Sequence, residues 1–241
     1  SSRTMNLGLD FGILRNRITG DINVYKTNTS DLLLDRSISP VHGLTSITEN
    51  IGETENQGIE VSVRSRNIVA GDFVWTTSGN MALTRNEIVD LYGTGIDDLA
   101  NEWFIGEPIR VLYGYEWLGT WQLDEADEAA SYGSQPGFVK LNDRDGDGNL
   151  TADDRMILGR EDPNLLWGMS NEFSYKNFSL NIFLQAVHGV TRTNPLMSDL
   201  ISENQVRRNV IQKNWWTEDN PTNDWVMNDY DAEWMSGIEG E

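Results

Sequence analysis

The chain has 241 residues, a formal net charge of −20 and no cysteine. Disulfides and thiolate chemistry are therefore excluded, the acidic balance argues against nucleic acid as a partner, and no apolar run reaches the roughly 18 residues of a membrane-spanning helix. A β-barrel, whose strands need only about ten residues of alternating pattern, stays open.

From Met5 to Ile13 the odd positions (Met5, Leu7, Leu9, Phe11, Ile13) are apolar, and the even ones are Asn6, Gly8, Asp10 and Gly12. That alternation predicts a strand with one apolar face. A turn at Arg15-Asn16-Arg17 leads into a second strand, where Ile18, Ile22 and Val24 alternate with Thr19, Asp21 and Asn23. A second pair follows, Ile59, Val61 and Val63 and then Phe73, Trp75, Met81 and Leu83, joined by the short stretch 66–72. A third pair runs through Leu165, Trp167, Met169, Phe173 and Tyr175, turns at Lys176-Asn177, and returns through Phe178, Leu180, Ile182 and Leu184. The pairs occupy about 4–28, 57–85 and 164–188, and the stretches 29–52, 86–163 and 189–241 read as long loops.

The second long loop carries most of the net negative charge and a dense set of aromatics, including Trp103, Phe104, Tyr113, Tyr115, Trp117 and Trp121. Trp103, Tyr115, Trp117 and Trp121 are candidates for contact with a sugar substrate or a protein lid, against the plainer reading of buried loop anchors. Further on stands Asp143-Arg144-Asp145-Gly146-Asp147-Gly148-Asn149-Leu150-Thr151-Ala152-Asp153-Asp154. Oxygen-bearing side chains fall at positions 1, 3, 5, 9 and 12 of a twelve-residue loop with glycine at position 6, the spacing that wraps one Ca²⁺ in about 6–8 oxygens. Asp143, Asp145, Asp147, Asn149 (through its carbonyl), Thr151 and Asp154 are the predicted ligands, with Mg²⁺ as the other hard cation that would suit them. Gly133 to Gly137 upstream and Pro163 downstream leave no room for flanking helices, so this is not an EF-hand, and its predicted task is to staple the loop.

After Asn194, Pro195 and the stripe Leu196, Leu200, Ile201, Val210, Ile211 predict a helix running to Trp215. Catalysis has little support. Asp124/Glu125 and Asp153/Asp154 are adjacent acids on an acidic stretch, and the two histidines, His42 and His188, have no nucleophile pattern beside them. No enzyme is expected.

Short turns at one end and long loops at the other, with one apolar face and one face of Gly, Ser, Thr, Asn and Asp, suit a transmembrane barrel. Phe73, Trp75, Trp167, Phe173, Tyr175 and Phe178 could form its interfacial girdles. A soluble calcium-stapled β-sandwich, such as a carbohydrate-binding module, shares the alternation.

Three segments resemble the SusC/RagA branch of TonB-dependent outer-membrane transporters. They are Asn6 to Gly12 with Asn16 to Asp21 and Thr29 to Leu33; Asn50 to Gly52 with Asn56 to Val61; and Gly137 to Lys140 with the acidic loop, Leu158-Gly159 and Asn164 to Gly168. The resemblance implies an all-β fold: part of a large antiparallel transmembrane barrel with long extracellular loops, one of them bearing the calcium loop. It implies an importer of oligosaccharides or peptides in the outer membrane of a Gram-negative, Bacteroidetes-like bacterium. Its partners would be a SusD-like surface lipoprotein as lid, TonB acting through a plug, and the lipid bilayer. The family's plug, TonB box and N-terminal carboxypeptidase-like domain have no counterpart here, so the sequence is expected to be a fragment of such a transporter.

Overall fold

The structure, a computed structural model, describes residues 1–37, 46–193 and 213–227. In chain order its elements are β1 (Ser2–Ile13), β2 (Ile18–Ser37), β3 (Ser46–Ala70), β4 (Phe73–Asp90), β5 (Val111–Gly114), β6 (Trp117–Thr120), a 3₁₀ turn over Leu123–Glu125, and α1 (Ala126–Ser131). There follow β7 (Val139–Leu141), a 3₁₀ turn over Ala152–Asp154, β8 (Met156–Arg160), β9 (Leu165–Tyr175), β10 (Phe178–His188), β11 (Trp215–Trp216) and β12 (Trp225–Met227). The chain divides into two compact units, Ser1–Val111 with Gly159–Thr191, and Leu112–Leu158 with Arg192–Glu241.

The first unit is a six-stranded sheet in the order β1-β2-β3-β4-β9-β10, every neighbour antiparallel. Its register decides what each face is made of. Leu9 pairs with Ile22, Ile22 with Val61, Val61 with Met81, Met81 with Trp167 and Trp167 with Ala186. The next rung toward the long loops is Leu7, Val24, Ile59, Leu83 and Leu165. On the opposite face Asp10, Asp21, Ser62, Asn80, Gly168 and Gln185 form one polar rung. The apolar face is open: Leu7 is 76% exposed and Phe178 79%. Among the described residues of this unit no second sheet covers it, which removes the facing layer that a sandwich requires.

On the central strands polar rungs bound the apolar band, while Ile13, Ile18 and Ile182 continue the turn-side rung on the outer ones. Toward the loops lie Lys26, Gln57 and Arg85. Toward the turns lie Ser65, Thr77 and Asn171, where Thr77 donates to Asn171 Oδ1 at 2.7 Å and Asn67 donates to Thr77 at 2.6 Å. From Ser65 to Gln57 the strand advances about 26 Å, which a tilt of 35–45° brings to roughly 20 Å, the scale of the lipid-facing band of such barrels. Beyond the turn-side rung stand Trp75 stacked on Phe173 at 5.5 Å, and the row Phe73, Tyr175, Phe178. Trp167, expected with them, instead lies in the middle rung and donates to His188 Nε2 at 3.2 Å.

Two expectations change. Residues 29–52 are not one long loop: β2 runs to Ser37 and β3 begins at Ser46, paired from Leu32↔Gly52 to Ser37↔Ser46 past a bulge at Asp31 (φ 58°). The sequence there lacks the one-sided alternation that marks the other strands. Likewise β4 continues to Asp90. The helix expected after Asn194 lies almost wholly outside the described residues, and its last residue, Trp215, is in β11. His42 lies outside them too.

In the second unit Trp121, Ala129, Trp216 and Val226 are buried. Residues 213–227 are fastened to the stretch 119–137. Asn223 Oδ1 accepts the Thr120 N–H at 3.0 Å, the Met227 N–H reaches Gly137 O at 2.8 Å, and Lys213 Nζ lies 3.9 Å from the Trp225 ring centroid. Gly137 has φ 90°, and a Cβ there would come within 2.7 Å of the Trp216 ring. Gly137→Ala should therefore cost about 1–3 kcal/mol, checked as faster hydrogen exchange throughout 213–227 with the strands of the first unit unchanged.

Candidate metal centre

The acidic loop hangs between β7 and β8, and strands and turns rather than an α-helical pair flank it. Its glycines let the chain fold inward: Gly146 has φ 72° and Gly148 φ 84°. Oxygen atoms of Asp143, Asp145 and Asp147 come within 4.8 Å of one another. Each of the three also accepts a loop N–H: Gly146 (2.8 Å) and Gly148 (2.9 Å) donate to Asp143, Asp147 donates to Asp145 (3.1 Å), and Asn149 donates to Asp147 (2.7 Å).

The remaining predicted ligands have other tasks. Thr151 Oγ1 accepts the Asp153 N–H at 3.2 Å and caps the 3₁₀ turn. Asp154 is 1% exposed. Its Oδ1 accepts the N–H of Arg144 at 2.8 Å and of Asp145 at 3.4 Å, while Oδ2 accepts that of Thr151 at 2.8 Å. Asp154 therefore ties the two ends of the loop together. Of the six, the three aspartates at positions 1, 3 and 5 are gathered, Asn149 donates its N–H to Asp147, and Thr151 and Asp154 hold the frame.

The electrostatics suit a divalent cation. Asp145 accepts the Asp147 N–H, which lowers its pKa, but desolvation and the charges of Asp147, Asp154 and Asp143 outweigh this and raise it above the ordinary carboxylate range. Asp143 meets a desolvation cost, yet the N–H groups of Gly148 and Gly146 and the Tyr132 hydroxyl hold it below that range. One acid strained by its neighbours beside one kept ionised is a set that a hard cation relieves, and all the donors are oxygens.

Tyr132, which the loop pattern does not contain, donates to Asp143 Oδ2 at 2.9 Å. It stacks on Trp121 at 6.0 Å, and Lys140 Nζ lies 4.2 Å from the Trp121 ring centroid while bonding Glu125 at 2.7 Å. Nothing in the spacing marks Tyr132, because it reaches Asp143 through the fold of α1.

The four candidate aromatics separate. Trp121 is 2% exposed beneath Tyr132 and Lys140, so it is an anchor and not a contact for substrate or lid. Tyr115 is faced by the Arg155 guanidinium at 5.3 Å. Trp103, in the first unit, is half-buried and exchanges both backbone hydrogen bonds with Asp98 at 2.9 Å. Trp117 keeps 50% of its surface open.

A family profile described as TonB dependent receptor-like, beta-barrel matches residues 1–185. TonB-dependent receptor P3 of Formosa agariphila is 37% identical over 204 residues, covering 78% of this chain and 20% of that protein. TonB-dependent receptor SusC of Bacteroides thetaiotaomicron is 32% identical over 195 residues, covering 76% of this chain and 19% of that protein. Among solved structures, that of the RagAB peptide transporter superposes with a TM-score of 0.67 at 23% identity, covering 94% of this chain and 26% of the other. The chain spans about a fifth of the length of the curated relatives it matches.

Two outcomes follow from the local geometry. Asp154→Ala should remove about 1–3 kcal/mol of loop stability by taking the acceptor from three part-buried N–H groups, seen as faster exchange at the Arg144 and Thr151 amides whether or not Ca²⁺ is supplied. Glu125 is held below the ordinary carboxylate range, first by Lys140 and then by the Gln122 N–H. Its pKa is depressed on folding, so its stabilisation is complete above the unfolded value and is lost as pH falls through the folded one. Trp121 fluorescence should report that acid transition, and Glu125→Gln should flatten it.

Proposed function

The chain belongs to the TonB-dependent receptor family, within its β-barrel part, and on that premise we propose that it forms part of an outer-membrane importer of the SusC/RagA kind. The observation that carries this reading is the unbroken apolar band across all six strands, open on one side, with a polar face behind it. Lipid would cover the first face and the watery lumen the second. The cargo is an oligosaccharide or a peptide, the latter being what RagAB is described as carrying. A SusD-like lipoprotein closes the mouth, and TonB supplies energy through a plug. The chain's own part is to bind and shape, with no catalytic step, and Trp117 is the aromatic placed to meet cargo or lid.

Residues 143–154 hold a Ca²⁺ ion in this reading, through Asp143, Asp145, Asp147 and the Asn149 carbonyl. The gathered carboxylates support it. The ion would neutralise their mutual repulsion and keep the second unit in one shape.

Extracted in detergent from its source cells, the polypeptide containing this chain should run as a heat-modifiable band much larger than the chain itself, with a lipoprotein lid co-purifying. A soluble species of this length, folded without detergent, would overturn the proposal. Asp145→Ala combined with Asp147→Ala should abolish ion binding and expose residues 123–164 to protease as chelator does to the unaltered protein. Equal resistance with and without chelator would sink the stapling role.

A further inference from the structure

The acidic loop is tied to the rest of its unit at its first aspartate. Asp143 Oδ1 accepts the Gly146 N–H at 2.8 Å, and Oδ2 accepts the Gly148 N–H at 2.9 Å. Those donors belong to the loop itself. A further donor, the Tyr132 hydroxyl at 2.9 Å, comes from the residue that ends α1. Its hydrogen bond holds the Asp143 carboxylate in one orientation, and groups that orient a ligand in this way govern how well a site takes its metal.

Tyr132 reaches Asp143 from a packed position. Its ring stacks at 6.0 Å on Trp121, which is 2% exposed. Lys140, three residues before Asp143, places Nζ 4.2 Å from the centroid of the same ring. Trp121 in turn belongs to the stretch on which residues 213–227 are fastened. Its carbonyl accepts the Gly137 N–H at 2.8 Å, and the Gly137 carbonyl accepts the Met227 N–H at 2.8 Å. The next residue, Gln122, donates from Nε2 to Asn223 Oδ1 at 3.1 Å, and its Oε1 accepts the Trp216 Nε1–H at 3.3 Å. One continuous set of contacts therefore runs from Asp143 to the docked segment, all of it inside the second unit.

We propose that Tyr132 is the positioning residue of the ion site and couples ion binding to the docking of residues 213–227. The inference rests on the ion that the proposed function gives to residues 143–154. With Tyr132 swung off Trp121, Asp143 loses a hydrogen bond that aims it, and the site binds its cation less well. An ion that prefers the docked arrangement must favour docking by the same free energy. The ion thus fixes a segment that contributes none of its ligands.

The full-length protein in detergent would be titrated with Ca²⁺ by calorimetry, and its hydrogen exchange followed with and without the ion. Tyr132→Phe keeps a ring on Trp121 and removes only the hydroxyl, yet it should weaken Ca²⁺ binding about tenfold. In the unaltered protein Ca²⁺ should slow exchange at the Met227 and Gly137 amides as well as at Gly146 and Gly148. In Tyr132→Phe saturated with Ca²⁺, the loop amides should still be protected and the slowing at Met227 should be lost. Tyr132→Phe that binds as tightly as the unaltered protein, or Ca²⁺ protection that stops at the loop, would overturn the inference and leave the ion site standing. An unaltered protein that takes no Ca²⁺ would instead overturn the ion reading itself, and the inference with it.

Discussion

Backbone hydrogen bonding between neighbouring strands is the constraint on which the first unit depends. In the membrane that the proposed function gives it, every N–H and C=O must find a partner on a neighbouring strand, because an unsatisfied group costs several kcal/mol in hydrocarbon. Pairing then dictates the faces, since a slip of one residue would turn Leu7, Leu9 and Phe11 from the apolar face to the polar one. Two kinds of device hold the register. The short turns use left-handed residues, Leu14-Arg15-Asn16 in one and Gly71 in another. Rings also lie across glycines of adjacent strands, Phe11 over Gly20 and Tyr25 over Gly58, where a Cβ would approach a ring atom to 2.8 Å in each case.

The second unit answers a different difficulty, that of giving an acidic stretch a defined shape. It does so with main-chain donors: seven of the loop's hydrogen bonds run from backbone N–H groups to the carboxylates of Asp143, Asp145, Asp147 and Asp154. Elsewhere in the unit cations lie over aromatic rings, Lys140 over Trp121 while it also pairs with Glu125, Arg155 over Tyr115 and Lys213 over Trp225. Negative charge is thus left concentrated in one place, where a divalent ion has most to gain.

Legibility followed the physics of period two. Where one face is apolar and the other polar, as in β1, β9 and β10, alternation in the sequence marks the strands to within a residue or two. Residues 32–37 and 46–52 carry no such alternation, and those stretches of strand read as loop. That Asp143, Asp145 and Asp147 gather was legible in their spacing, because the contacts are local. The division of labour within the loop was not: that Asp154 fastens the loop, and that Tyr132 braces Asp143, depends on contacts made by residues ten and eleven positions away. Trp121 and Trp117 look alike in sequence, and only packing distinguishes an anchor from an open ring.

The bulge at Asp31 has a mechanical consequence. Below it β2 and β3 belong to a sheet also secured by β4, whose pairing with β3 ends at Glu53↔Asp90. Above it, among the described residues, they continue as a ribbon of two strands, from Leu32↔Gly52 to Ser37↔Ser46. A two-stranded ribbon has little bending stiffness compared with a sheet of six, and the irregular pairing at Thr29–Leu32 is where its ladder is already interrupted. Lateral force on the ribbon's tip therefore concentrates as rotation at that one joint, and the wall below it is spared the strain.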